Sequence, residues 1–355
     1  MNTPVLAELT TLRVGGPARR YVAAETEAEL ISAIRAADAA DVPLLMLGGG
    51  SNLLAADAGF DGLVLQDRRR GVQVQEQTSG RATVRVPAGQ PWDPVVEQAV
   101  AEGWSGIEAL SGIPGSSGAT PVQNVGAYGQ EISEVLTSVR VWDRDRAQVR
   151  TLTAPDLQFG YRTSVLKRSL IADDRGRQWF PTPRYVVLEV TMNLATSSES
   201  APVRYTELAG ALGVDLGQRA PAGRVRQVVL ELRRGKGMVL QEADHDTWSA
   251  GSFFTNPILD ADAAADLPAG APTFEAGSGR VKTSAAWLIS RAGFDKGYGL
   301  PGPAALSTKH VLALTNRGGA SAEDLLSLAR AVRAGVQDSF GVHLVPEPVL
   351  LTGGL

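Results

Sequence analysis

The densest set of groups able to hold a ligand lies between Gly112 and Gly129. Five glycines (112, 115, 118, 126 and 129) and two prolines are interspersed there with Ser116, Ser117, Thr120 and Asn124, and the stretch carries no charged residue. A solvated linker of such glycine content would normally be rich in charge. Glycines allow main-chain N–H groups to approach a ligand closely, and neutral hydroxyls and amides add further hydrogen bonds. That chemistry suits a polyanion such as a nucleotide diphosphate held by dipoles rather than ion pairs. A glycine-rich buried turn region explains the same residues equally well. A second candidate, Gly48-Gly49-Gly50-Ser51-Asn52-Leu53, follows an apolar run and matches neither common phosphate-loop fingerprint, so taken alone it reads as a tight turn.

Three further clusters could do chemistry. Tyr161, Arg162, Ser164 and Lys167 place four donors within seven residues; an extended segment would set Tyr161 opposite Arg162. Ser252 stands between Gly251 and the aromatic pair Phe253–Phe254, where a hydroxyl needs a partner. Glu347 is held between Pro346 and Pro348, which suits either a strand stop or an oriented carboxylate.

The elements that position these groups follow from periodicity. Thr26 to Glu29 fits a capping box opening a helix to about Ala40, and Leu44–Leu47 reads as a buried strand. Strands are expected at 62–65, 81–88, 135–142, 148–152 and 185–194, with a helix from Trp92 to about Gly103. Gly213 to Gly223 reads as a domain boundary. Beyond it Val225, Val228, Val229 and Leu232 mark a helix, Lys282 precedes another, and Ser321 opens a long helix closed by Gly341. A terminal strand, 342–351, is interrupted at Glu347.

Composition narrows the classes. A chain of 355 residues with 44% hydrophobic and 20% charged residues has the volume for two or three globular domains. The net charge of −4 argues against non-specific nucleic-acid binding, and Arg68-Arg69-Arg70 reads as a solvated loop. With no cysteine, disulfides, thiolate metal sites and a thiol nucleophile are excluded, and the three histidines are too scattered for a metal site. The start, Met-Asn-Thr-Pro-Val-Leu, has no leader pattern and no apolar run is long enough to span a membrane, so a cytoplasmic protein is expected. Of the 34 basic residues only five are lysines (167, 236, 282, 296 and 309), which nominates those positions for a compact point charge.

In order along the chain, the Gly-Gly-Gly-Ser-Asn, Gly-Ile-Pro-Gly-Ser-Ser-Gly, Gln-Asn-Val-Gly-Ala-Tyr-Gly, Tyr-Arg-Thr-Ser, Gly-Ser-Phe-Phe-Thr-Asn-Pro and late Pro-Glu motifs resemble those of the UDP-N-acetylenolpyruvoylglucosamine reductases (MurB), type I branch. The resemblance implies an α+β fold: a two-part FAD-binding region of the PCMH/vanillyl-alcohol-oxidase-like type, residues 1–68 and 69–222, a substrate-binding domain at 223–341, and a C-terminal strand, 342–355, returning to the flavin site. It further implies non-covalent FAD held by Gly48, Gly49, Gly50, Ser51, Asn52, Leu53, Pro114, Gly115, Ser116, Ser117, Gly118, Thr120, Asn124, Gly126, Ala127 and Tyr128. NADPH and the enolpyruvyl sugar nucleotide would share one pocket in turn. Arg162, Ser252 and Glu347 would be catalytic, with Ser252 giving a proton to C2; Tyr161, Tyr205, Lys236, Asn256 and Lys282 would bind substrate. Thr255 stands where many relatives carry lysine. A flavin oxidase on the same fold, or a sugar-nucleotide-binding protein without turnover, are the alternatives; Ser252 and Glu347 argue against the first, and the Arg162, Ser252 and Glu347 set against the second.

Overall fold

The computed structural model describes residues 3–171 and 178–355; Met1 and Asn2, where the leader was sought, lie outside them. The chain forms two compact units, each assembled from separated segments. The first takes Ala18–Gly49 and Asp61–Arg234; the second takes the N-terminal segment up to Pro17, Gly50–Phe60 and Gly235–Leu355. Gly213 to Gly223 lies within the first.

In the first unit, strand Phe60–Asp67 is flanked by Ala18–Ala24 and by Leu44–Leu47, which runs parallel to it with Leu44 opposite Leu63. Helix Glu27–Ala39 starts at the expected capping box, Thr26 accepting from the Glu29 N–H while the Glu29 side chain returns to the Thr26 N–H. Its Leu30, Ile34 and Ala37 sit on one face by the 3.6-residue period and share a core with Leu44, Leu63 and Leu65. A second, antiparallel sheet runs Gln148–Thr153, Leu136–Asp143, Tyr185–Thr196, Arg81–Pro87, Gln73–Gln77, with Trp104–Ser105 beside the end of Tyr185–Thr196. Val139, Val190 and Val86 stand opposite one another across three strands, all fully buried. Helix Trp92–Ala101 joins that core through Trp92, Val95, Val96 and Ala99. Helix Ala222–Gly235 packs Val225, Val228 and Val229 against Ala109, Val203 and Leu208.

The core of the second unit is helix Ala322–Phe340, whose Leu325, Ala329, Val332 and Val336 meet Leu288 and Ile289 of helix Ala285–Arg291 and the hairpin Ala304–Leu306/Leu314–Asn316. Ser321 caps the long helix and Gly341, at φ +66, ends it in the left-handed region. The N-terminal segment is stitched in by Asn316, whose Nδ2 donates to the carbonyls of Leu12 and Arg13, 3.1 Å each. Strand Leu53–Leu54 pairs in parallel with Val349–Leu350. Among the described residues no helix is long and apolar enough to cross a membrane.

Three expectations are corrected. Tyr161–Lys167 is not extended: Gly160 and Thr163 exchange main-chain hydrogen bonds around a tight turn holding Tyr161 and Arg162, and Val165–Arg168 is a helical turn capped by Ser164. Arg69 is not solvated; its guanidinium grips Asp67 at 2.6 Å, Glu27 at 3.0 Å and the Leu188 carbonyl at 2.8 Å. The terminal strand shrinks to Val349–Leu350, preceded by an isolated bridge between Pro346 and Phe254, because two prolines remove the N–H groups a longer ladder would need.

Candidate functional site

In the first unit the two glycine-rich stretches meet main chain to main chain. A Cβ on Gly49 would fall 2.7 Å from the Gly115 Cα, and one on Gly48 would fall 2.5 Å from the Ser116 hydroxyl oxygen. The turn at 110–115 is pinned by the start of helix Trp92–Ala101. Trp92 donates its main-chain N–H to Gly115 and its indole N–H to Leu110, and the Asp93 carboxylate accepts from the Gly112 N–H at 2.6 Å. Burial pushes the Asp93 carboxyl up, but the hydrogen bonds from Arg226 and Gly112 outweigh it and hold the carboxyl below its ordinary range. Among the described residues no protein group accepts from the main-chain N–H of Gly49, Gly115 or Ser116. Uncommitted donors around a contact that excludes side chains fit a diphosphate.

Other residues of the stretch are already committed. The Ser117 and Gly118 N–H groups bond the carbonyls of Gln90 and Ala88, the Ser117 hydroxyl bonds Gln90, and the Thr120 hydroxyl bonds Ser117. Asn124, buried and at φ +47, donates to Glu131 at 2.6 Å and accepts from the Ser133 N–H at 3.2 Å. These hold the loop in shape. Gly126–Ala127 pairs with Gln130–Glu131 around Tyr128 (φ +49) and Gly129 (φ +81), both positive as a two-residue type I′ turn requires. Burial pushes the Tyr128 phenol up to about 12, so it is a hydroxyl donor at neutral pH. Tyr205, 43% exposed at the start of helix Thr206–Leu212, meets the Tyr128 ring edge-on at 5.5 Å.

Arg162 is brought to the same stretch. At φ +52 it turns its guanidinium onto the carbonyls of Gly126 (3.1 Å) and Asn124 (3.4 Å), and lies 5.7 Å from the Tyr161 ring centre. A non-glycine residue in the left-handed region is a strained choice, of a kind concentrated at functional sites.

In the second unit the segments that carry Ser252 and Glu347 are joined backbone to backbone. Of the triplet Pro346-Glu347-Pro348 only Glu347 has an N–H, and it bonds the Phe253 carbonyl at 2.9 Å; Thr255 N–H bonds Val345 at 3.0 Å. Phe253 and Phe254, both buried with rings edge-on at 5.1 Å, anchor the segment, and Gly251 at φ +74 turns the chain into it. The half-buried Ser252 hydroxyl has no protein partner among the described residues. The Asn52 side-chain amide donates a hydrogen bond to the Glu347 main-chain carbonyl (3.4 Å), and the Val349 N–H donates to the Asn52 carbonyl; Gly50, Ser51 and Leu53 lie on the same segment. The Asn256 side-chain oxygen accepts from the Ala285 N–H at 3.0 Å, at the start of a helix. Lys282, opposite Ile258, has its ammonium 6.0 Å from the Phe274 ring centre, and Lys236 follows helix Ala222–Gly235.

Two residues that sequence reasoning passed over organise the first unit's site. Asp93 is one; Glu108 is the other, fully buried, accepting from the N–H groups of Gly106 and Ala201 (2.6 Å each) and from Gln130 (2.9 Å). Their only local signal is a carboxylate in an otherwise apolar or glycine-rich run.

Residues 241–351 match the model of the UDP-N-acetylenolpyruvoylglucosamine reductase C-terminal domain, and residues 18–152 match that of an FAD binding domain. The chain is 52% identical to the UDP-N-acetylenolpyruvoylglucosamine reductase of Cutibacterium acnes over 98% of its own length and 89% of that protein. It is 54% identical to the one from Saccharopolyspora erythraea, over 98% and 94%. The crystal structure of the MurB reductase from Thermus caldophilus superposes with a TM-score of 0.63 at 26% identity, covering 98% of this chain and 97% of that one. The α+β fold with an FAD-binding region of the PCMH/vanillyl-alcohol-oxidase-like type is therefore the fold of this chain. This chain belongs to the UDP-N-acetylenolpyruvoylglucosamine reductase family of FAD-dependent oxidoreductases of peptidoglycan precursor synthesis.

Proposed function

We propose that the protein reduces UDP-N-acetylglucosamine enolpyruvate to UDP-N-acetylmuramate with NADPH, both substrates using one pocket in turn, in the cytoplasm. Bound FAD would supply the redox chemistry, accepting hydride from NADPH and delivering it to C3 of the enolpyruvyl ether. Gly49, Gly115 and Ser116 offer it main-chain N–H groups, and with no cysteine in the chain and no histidine in either stretch the cofactor is held non-covalently. The division into residues 1–68, 69–222, 223–341 and 342–355 belongs to the same reading.

Hydride arrival at C3 leaves negative charge on C2 and the adjoining carboxylate. Arg162 is the cation that opposes it, a preorganised charge aimed at what develops in the transition state. Ser252 supplies the proton to C2 from its hydroxyl, and Glu347, with Arg162, flanks the enolate. A serine hydroxyl is a weak acid, so a cation such as Lys236 is assigned to assist it. Tyr161, Asn256 and Lys282 bind the sugar nucleotide, and Tyr205 closes over its diphosphate.

The observation that carries this reading is the Glu347 N–H bond to the Phe253 carbonyl, 2.9 Å, which ties the Glu347 main chain to the residue after Ser252, whose hydroxyl has no protein partner among the described residues. The test separates the half-reactions. The purified protein should be yellow, and NADPH should bleach it anaerobically with colour returning on addition of the enolpyruvyl sugar nucleotide. In Ser252→Ala bleaching should persist while colour return slows roughly 10²- to 10⁴-fold, the usual worth of a positioned acid. Equal loss in both halves would remove Ser252 from the proton-donor role.

A further inference from the structure

Lys167 is one of the five lysines in a chain that otherwise uses arginine, and the reading above gives it no task. Among the described residues its ammonium donates to the main-chain carbonyl of Arg162 at 3.2 Å and to the side-chain oxygen of Gln123 at 2.9 Å. Ser164 reinforces the same join, its hydroxyl donating to the Val122 carbonyl at 2.6 Å and accepting from the Lys167 N–H at 3.3 Å. The Arg162 guanidinium meanwhile bonds the carbonyls of Asn124 and Gly126. Main chain and side chain of Arg162 are thus both fastened to residues 122–126, the first through Lys167 and the second directly.

This double fastening has a physical purpose. A left-handed arginine relaxes toward ordinary backbone angles unless its surroundings over-determine it. The turn's own hydrogen bonds, Gly160 to Thr163 in both directions, close the loop around Arg162 but do not touch its carbonyl. That carbonyl is held by Lys167. A compact ammonium can face two divergent acceptors from the end of a flexible stem, whereas a planar guanidinium presents a fixed fork.

We propose that Lys167 is a positioning residue for Arg162: by bonding its carbonyl and Gln123 together, it keeps the guanidinium where charge develops during sugar reduction. The proposal rests on the assignment of Arg162 above.

The test uses the FAD-loaded enzyme, with Lys167→Met keeping the stem and removing the ammonium. We expect FAD retention and the rate of bleaching by NADPH to stay within twofold, and the rate of colour return with the enolpyruvyl sugar nucleotide to fall 10- to 100-fold. Amide hydrogen exchange of residues 160–166 should accelerate in the same variant. Adding Lys167→Met to Arg162→Ala should slow colour return no further than Arg162→Ala alone, since both act through one group. Equal slowing of both half-reactions, or losses that multiply in the double variant, would overturn the proposal. If Arg162→Ala itself leaves colour return intact, the assignment of Arg162 fails instead. Should Lys167→Met not fold, Gln123→Leu removes the side-chain acceptor of the tether: a several-fold slowing confined to colour return supports the tether, and an unchanged rate overturns it.

Discussion

Replacing Gly49 with alanine tests the cofactor cradle most directly. Gly49 is not at positive φ, so alanine meets no backbone strain of its own, and any effect comes from the space its Cβ would enter. That space is occupied by main chain: Gly115 Cα at 2.7 Å, with its C and N at 3.2 Å. Carbon atoms prefer about 3.5–4.0 Å, so the two stretches must separate by close to 1 Å. Overpacking of this kind costs about 1–3 kcal/mol. Expressed in FAD affinity, at 1.4 kcal/mol per tenfold, the dissociation constant should rise roughly 5- to 140-fold. Gly48→Ala is the control, because its Cβ would meet the Ser116 hydroxyl at 2.5 Å, a side chain that can rotate away. It should weaken binding less, and Ser116→Ala alongside it should restore most of the loss. Titrating apoprotein with FAD and following flavin fluorescence ranks the three variants. A Gly49→Ala protein with unchanged affinity, or one that binds FAD better than Gly48→Ala, would refute the cradle.

Two further predictions concern carboxylates. Glu108→Ala strands the part-buried N–H groups of Gly106 and Ala201 and the buried Gln130 amide, and should cost on the order of 3–9 kcal/mol of unfolding free energy in urea, at roughly 1–3 kcal/mol for each orphan group; Glu108→Gln, which keeps one acceptor oxygen, should cost about half as much. Asp93 and Asp143 share one acid dependence. Burial pushes both carboxyls up, but the arginine bonds (Arg226 to Asp93; Arg184 and Arg150 to Asp143) more than offset it and leave both below the ordinary range. The unfolded chain therefore takes up their protons first, near pH 4. Their contribution should be whole above that pH and fade as pH falls through the lowered folded values. Melting temperatures from pH 6 to pH 3 should drop steeply at the acid end, and Asp143→Asn should flatten that slope; an unchanged slope would exclude Asp143 from it.

Much of the first unit was legible because its signals are local. The Thr26 capping box, the alternation at 81–87 and the valine spacing in Ala222–Gly235 each state their structure within a few residues. Arg162 was legible as a residue type but not as a conformation: a donor-rich segment reads as a strand, and only the Gly160–Thr163 closure makes it a turn. Arg69 was misread for a related reason. A run of three arginines looks solvated until Glu27, 42 positions away, and Leu188, 119 away, are folded against the middle one. Glu108 was missed because one of its partners, Ala201, is 93 residues distant. Long-range acceptors leave no periodic trace in a sequence.

The parallel pairing of Leu53–Leu54 with Val349–Leu350 carries a consequence for how the molecule is made. Leucines that are buried in the finished protein leave the ribosome almost 300 residues before their partners. At about 5–20 residues per second, that is a wait of roughly 15–60 s with an apolar strand edge uncovered. Helix Ala322–Phe340, against whose core Leu54 also packs, arrives equally late. The first unit can fold during synthesis, whereas the second must thread its opening segments into a core that appears last. Nascent chains stalled before that helix should therefore expose residues 50–60 to proteolysis, making late synthesis the stage at which this protein most needs a chaperone.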